Sequence, residues 1–103
     1  MNITDKIVKK SDQFASTIIE IGSGPGSLTR SILKNKSAVV YAIDKDIQSK
    51  AMLAELKTIY KDRLNIIIDD ALHYPIWELG NTPRQIIANL PYNVGTKMLV
   101  MWL

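Results

Sequence analysis

The chain has no cysteine and one histidine, His73. That excludes a disulfide framework, a reactive thiol and the ligand set of a structural zinc site. Lack of cysteine also agrees with a reducing cytoplasm, the compartment expected here. No apolar run approaches the ~18 residues of a membrane span, so no membrane partner is expected. The opening residues, Met1-Asn2-Ile3-Thr4-Asp5-Lys6, carry no apolar stretch of the kind a secretory leader has. Charge of one sign is scarce too, at a net +3 over 103 residues. That balance tolerates an anionic partner such as RNA without requiring one. Lys34, Lys36, Lys45, Lys50, Lys57 and Lys61 are scattered as on an ordinary wet surface. The tightest basic group is Lys6, Lys9 and Lys10.

Apolar residues are plentiful, at 47%, enough for a packed core. Their spacing alternates between two kinds of segment. Thr17 to Ile21, Ala38 to Ile43, Leu64 to Ile68 and Gln85 to Ala88 are short, β-branched and apolar, and read as buried strands. Ser27 to Asn35 and Ile47 to about Ile59 carry apolar residues at helical spacing: Leu28, Ile32 and Leu33 in one, Ile47, Ala51 and Ala54 in the other. Thr4 can cap a further short helix through Lys10. Asp69 to Pro83 reads as loop with one helical turn after Pro75, and Thr96 to Leu103 as the start of a last helix.

Strands alternating with helices predict an α/β fold with a parallel sheet and right-handed crossovers. Continuous apolar strands predict that both faces are covered. Ligands of such sheets gather at the carboxyl ends of the strands, where the strand order reverses. With an order 3-2-1-4, the first and fourth strands flank that point. The residues after both are therefore expected to share one crevice.

Those residues carry chemistry. Glu20-Ile21-Gly22-Ser23-Gly24-Pro25-Gly26 follows the first strand. Glycines there allow a tight turn and close approach of a ligand, and the next helix presents free amides. A nicotinamide fingerprint needs Gly-x-Gly-x-x-Gly or Ala, and Ser27 stands in the third place. Asp44 ends the second strand, where a carboxylate can accept both ribose hydroxyls of an adenosine ligand. Its competing use, like that of Asp46, is to cap the next helix. Asp69-Asp70-Ala71 ends the third strand. Adjacent side chains on an extended chain point opposite ways, so one carboxylate, Asp70, is expected to reach the amine of an adenine. Its competing use is a turn.

Asn89-Leu90-Pro91-Tyr92 ends the fourth strand. An adenine amine is a poor nucleophile because its lone pair is delocalised into the ring. The Asn89 side-chain oxygen and the Leu90 carbonyl, stiffened by Pro91, can accept its two hydrogens and aim that lone pair. Tyr92 can stack on the base, a contact worth roughly 1–3 kcal/mol. No metal is called for.

Together these motifs, from Glu20 to Thr29, Ala42 to Asp46, Asp70-Ala71 and Ala88 to Asn93, resemble the ribosomal RNA adenine dimethyltransferases of the KsgA type. The resemblance implies a Rossmann-like fold and S-adenosylmethionine as methyl donor. It implies small-subunit ribosomal RNA in the immature subunit as partner, and a monomer at full length. It implies cofactor binding by Gly22, Asp44, Asp70 and Asn89, with Glu20, Gly24, Gly26, Lys45 and Ala71 beside them in the same motifs. It implies target-base handling by Asn89, Leu90, Pro91 and Tyr92. Protein-glutamine and DNA-adenine methyltransferases tend to carry Asn/Asp-Pro-Pro-Tyr at this point, and remain alternatives by substrate class.

The family's usual Gln-Asn-Phe segment and its later strands and helical domain are missing from residues 1–103. The expectation is an incomplete catalytic domain, and a non-catalytic fragment is the competing reading.

Overall fold

The computed structural model describes residues 15–22, 26–92 and 95–103, and of 89–92 and 95–98 the backbone alone. The helix expected over Thr4–Lys10 lies outside these residues. β-Branched side chains build the first strand, β1 (Thr17–Ile21), which is buried along most of its length. β2 (Val39–Asp44) and β3 (Leu64–Ile68) lie to one side of it, and β4 (Arg84–Tyr92) to the other. All four run parallel, in the expected order 3-2-1-4.

Alternation of side chains divides the core in two. Ile18 of β1 joins Val40, Ala42, Leu64 and Ile87 on one face. There they pack against Leu28, Ile32 and Leu33 of α1 (Ser27–Asn35), and against Leu53 and Leu56. Ile19 joins Ile43 and Ile86 on the other face. That face is covered by Tyr74, Ile76 and Leu79 from the long connection between β3 and β4, with its single 3₁₀ turn at Ile76–Glu78. Among the described residues, then, helices cover one face and a loop the other.

The second helical region is broken in two, α2 (Gln48–Met52) and α3 (Ala54–Tyr60), where one helix is expected from sequence. Leu53, fully buried, sits at the joint and still bonds in helical fashion to Ser49 and Lys57 on either side. Its side chain is buried in the same cluster as Leu28, Ile32 and Leu33 of α1. Asp46 caps the start through its Oδ1, which accepts the Gln48 N–H at 2.9 Å. Arg63 ties this layer to the sheet by donating to the carbonyls of Leu33, Lys36 and Ala38.

Two departures concern the last third of the chain. β4 does not stop at Ala88 but continues through Asn89, Leu90, Pro91 and Tyr92. Where a helix is expected from Thr96 to Leu103, Gly95–Trp102 is a fifth strand, β5, antiparallel to β4. The apolar run Met98 to Trp102 has no polar face, so it satisfies a strand as well as a helix. Pairing settles the matter, because β4 would otherwise expose a bare edge. Val100 then packs on the helix-covered cluster, while Met101, its neighbour in the strand, faces the other side. β1 runs alongside β4 only as far as Ala88. Pro91, which has no N–H, therefore lies where β5 is its sole neighbouring strand.

Candidate functional site

Three strand ends are clamped together by the backbone. The Gly22 N–H donates to the Ile43 carbonyl at 2.9 Å, and the Asp69 N–H to the Asp44 carbonyl at 3.0 Å. Gly22 has φ 78, a left-handed conformation that glycine adopts without strain, and there the chain leaves the sheet. Gly26 re-enters as the N-cap of α1 with φ 91, and a Cβ on it would meet Leu53 at 2.9 Å.

Between these ends lies a cavity of about 450 Å³, within the ~300–1,000 Å³ range of small-molecule sites. Ile21, Ile43, Ile76, Ile86, Ala88 and Met101 supply apolar wall. Gly22, Asp44, Lys45, Asp70 and Ala71, all singled out from sequence, border it together with Asp69 and Leu72. The chain turns at Asp69 instead of staying extended, so both aspartates border the cavity rather than one. An apolar wall with carboxylates at the strand ends suits a ligand with a flat aromatic body and several hydrogen-bond donors.

The aspartates also hold the local backbone. Asp44 Oδ1 accepts the Asp46 N–H at 3.0 Å, and Asp70 Oδ1 accepts the Leu72 N–H at 3.0 Å. Asp70 Oδ2 lies 3.8 Å from His73 Nε2. The turn and cap uses expected as competitors thus coexist with places on the cavity.

Glu20 is placed differently. It follows Ile19 and precedes Ile21, so it points to the helix-covered face and does not border the cavity. It is fully buried, and the Thr29 hydroxyl of α1 donates to its Oε1. Burial pushes its carboxyl up to about 7, against the pull of the Thr29 bond and with help from the negative charge of Asp44.

The register of β1 on β4 sets Ile21 opposite Ala88, so Gly22 and Asn89 each leave this pair in the same direction. The side chains of Asn89, Leu90, Pro91 and Tyr92, and all of Gly24, lie outside the described residues. Sequence reasoning missed Ile21, Ile43, Asp69, Ile76, Ile86, Ala88 and Met101 as cavity residues. For Ile86 and Ala88 the signal was available, since alternate residues of a strand share a face. For Met101 it was not, because the site needs β5.

Residues 1–103 match the family described as ribosomal RNA adenine dimethylase. The chain belongs to this family. It is 47% identical to ribosomal RNA small subunit methyltransferase A of Rhizobium meliloti (strain 1021), over all of this chain and 38% of that relative. The chain therefore spans little more than a third of the relative's length. The 23S rRNA methyltransferase ErmE superposes on 84% of the chain with a TM-score of 0.57 at 17% identity, over 45% of its own length. A stretch of Cryptosporidium parvum pyruvate kinase, 24% of that protein, superposes on the whole chain with a TM-score of 0.65 at 14% identity. Likeness at that level speaks to the α/β arrangement, and chemistry must be argued from the site. Among the described residues, no helix is long and apolar enough to cross a membrane, and no three His, Asp or Glu side chains converge as a metal site.

Proposed function

We propose that the chain carries the cofactor cavity and the target-base segment, Asn89 to Tyr92, of an enzyme that methylates the exocyclic amines of adenines in small-subunit ribosomal RNA. The observation that carries this reading is the meeting of Gly22, Asp44, Asp70 and Ala71 at one cavity that Ile86 and Ala88 of β4 also line, next in chain to Asn89. S-adenosylmethionine supplies an activated methyl group when bound, and the cavity's carboxylate acceptors fit the hydroxyl and amine donors of its adenosine part. Asp44 accepts from ribose hydroxyls, and Asp70 from the adenine amine. Lys45, next to Asp44, stands at the rim. Ile21, Ile43, Ile76 and Met101 exclude water from the ring faces. Gly22 leaves room for the rest of the ligand, whereas Gly26, expected beside it, faces Leu53 and does not border the cavity.

The Asn89 side-chain oxygen and the Leu90 carbonyl accept hydrogen bonds from the two N–H of the target amine. Pro91 fixes that carbonyl, and Tyr92 stacks on the base. As the nitrogen bonds to the methyl, the sulfonium S–CH3 bond breaks, and one N–H proton then leaves to solvent. Alignment and electrostatics supply the rate enhancement, with no strong base at the nitrogen. Bases already unpaired cost less to present than bases drawn from a duplex. The proposed setting is the immature small ribosomal subunit in the cytoplasm, with the full-length protein a monomer and residues 1–103 its incomplete catalytic domain.

The test is transfer of labelled methyl from S-adenosylmethionine to unmethylated small ribosomal subunits by the full-length protein. The reading requires label in adenine amines, lost with Asn89→Ala. Label confined to protein or DNA would overturn the RNA assignment.

A further inference from the structure

Behind the cavity wall lies a buried acid for which no direct ligand contact is available. Glu20 is fully buried on the face opposite the cavity, yet the next two residues, Ile21 and Gly22, form part of the cavity wall. Its Oε1 accepts from Thr29, and its Oε2 has no hydrogen-bond partner among the described residues. Asp44, which borders the cavity, is the charged group that acts on it. Its partners in register, Ala42 on β2 and Ile87 on β4, are apolar, as are Leu53 and Leu56 on the same face. Lys45, Asp69 and Asp70 border the cavity instead.

We propose that Glu20 is a proton-release group for the cofactor site: it is neutral before the cofactor enters and ionises when a sulfonium cation occupies the cavity. The inference rests on the proposed use of S-adenosylmethionine. Two changes on binding act with the same sign. The incoming cation favours a carboxylate behind the wall. Hydroxyl donors on Asp44 satisfy that charge and weaken its repulsion of a second one. The only bonds that change are those of the proton: the Glu20 O–H bond breaks, its electron pair stays on the carboxylate, and the proton passes to the buffer base. An acid that titrates near 7 in the empty protein is suitably poised for this. Glu20 is thus a positioning residue whose charge follows occupancy, acting through the sheet and not by touching the ligand.

The experiment is calorimetric titration of the full-length protein with S-adenosylmethionine at pH 7, in two buffers of different ionisation enthalpy. The wild type is expected to release about half a proton more than Glu20→Gln. Relative to the variant, its affinity should rise by up to about tenfold from pH 6 to pH 8. S-adenosylhomocysteine, which lacks the sulfonium charge, should give a smaller difference between the two proteins. Equal proton release by wild type and variant overturns the proposal, as does an equal difference with both ligands. Should Glu20→Gln fail to fold, the carbon NMR shift of the Glu20 carboxyl decides. It must move to the ionised position on adding S-adenosylmethionine at pH 7, and a fixed shift overturns the proposal. If neither ligand binds, the cofactor site itself is wrong and this inference falls with it. Binding without linked proton release sinks the inference alone.

Discussion

Ile21 of β1 stands opposite Ala88 of β4 in a parallel register. One residue further along the chain are Gly22, where the chain leaves the sheet, and Asn89, where β4 runs on beyond β1. A slip of one residue would send Ile21 to the helix-covered face and Glu20 to the cavity. The apolar pairing of Ile19 with Ile86 holds the register in place.

Asp44 is the residue whose loss should most weaken cofactor binding. A carboxylate hydrogen bond to a ligand contributes ~1.5–3 kcal/mol, so Asp44→Ala should raise the dissociation constant for S-adenosylmethionine by about 10- to 150-fold. Calorimetry on the folded variant checks this. Unchanged affinity would remove Asp44 from the site.

Glu20 gives stability a pH dependence of known sign. Its carboxyl titrates near 4.5 in the unfolded chain and about 7 in the folded protein. Between those values the unfolded state binds fewer protons, so stability falls as pH rises through the window. The loss is roughly 3 kcal/mol at most and is complete above pH 7. Urea unfolding at pH 5 and pH 8 should show a wild-type decline that Glu20→Gln flattens. Parallel decline in both proteins would mean that Glu20 is not the cause.

Gly26 should tolerate no side chain. Its φ of 91 and the 2.9 Å approach of Leu53 to a Cβ placed there act together. Left-handed backbone alone costs about 1–2 kcal/mol for an ordinary residue. Gly26→Ala should lower the denaturation midpoint accordingly, and Leu53→Ala should partly relieve Gly26→Ala in a double-mutant cycle. Additive losses would contradict the contact.

Val100 tests the fifth strand. Paired opposite Ile87 and packed on the helix-covered core, it should be needed for the sheet edge. Val100→Lys should weaken hydrogen-exchange protection along Ile86 to Ala88. Full protection in that variant would favour an arrangement in which β4 does not depend on β5.

Much of this was legible from residues alone, for definite reasons. Thr17 to Ile21 and Leu64 to Ile68 are short and β-branched between polar stretches, and each forms the strand its pattern demands. α1 follows from Leu28, Ile32 and Leu33 at helical spacing. Met98 to Trp102 was not legible, because an apolar run with no polar face fits either period until a partner edge is known. The side of Glu20 was knowable, since its neighbours Ile19 and Ile21 share one face and force it to the other. Its grouping with the cofactor contacts came from the motif and not from that alternation.

The most direct measurement is a backbone amide NMR titration of the full-length protein with S-adenosylmethionine. The account requires the largest shifts together at Gly22, Asp44, Asp70, Ala71 and Asn89. Shifts confined to the opposite strand ends near Thr17, Val39 and Arg84, or a saturable response that leaves Gly22 and Asn89 unmoved, would contradict it.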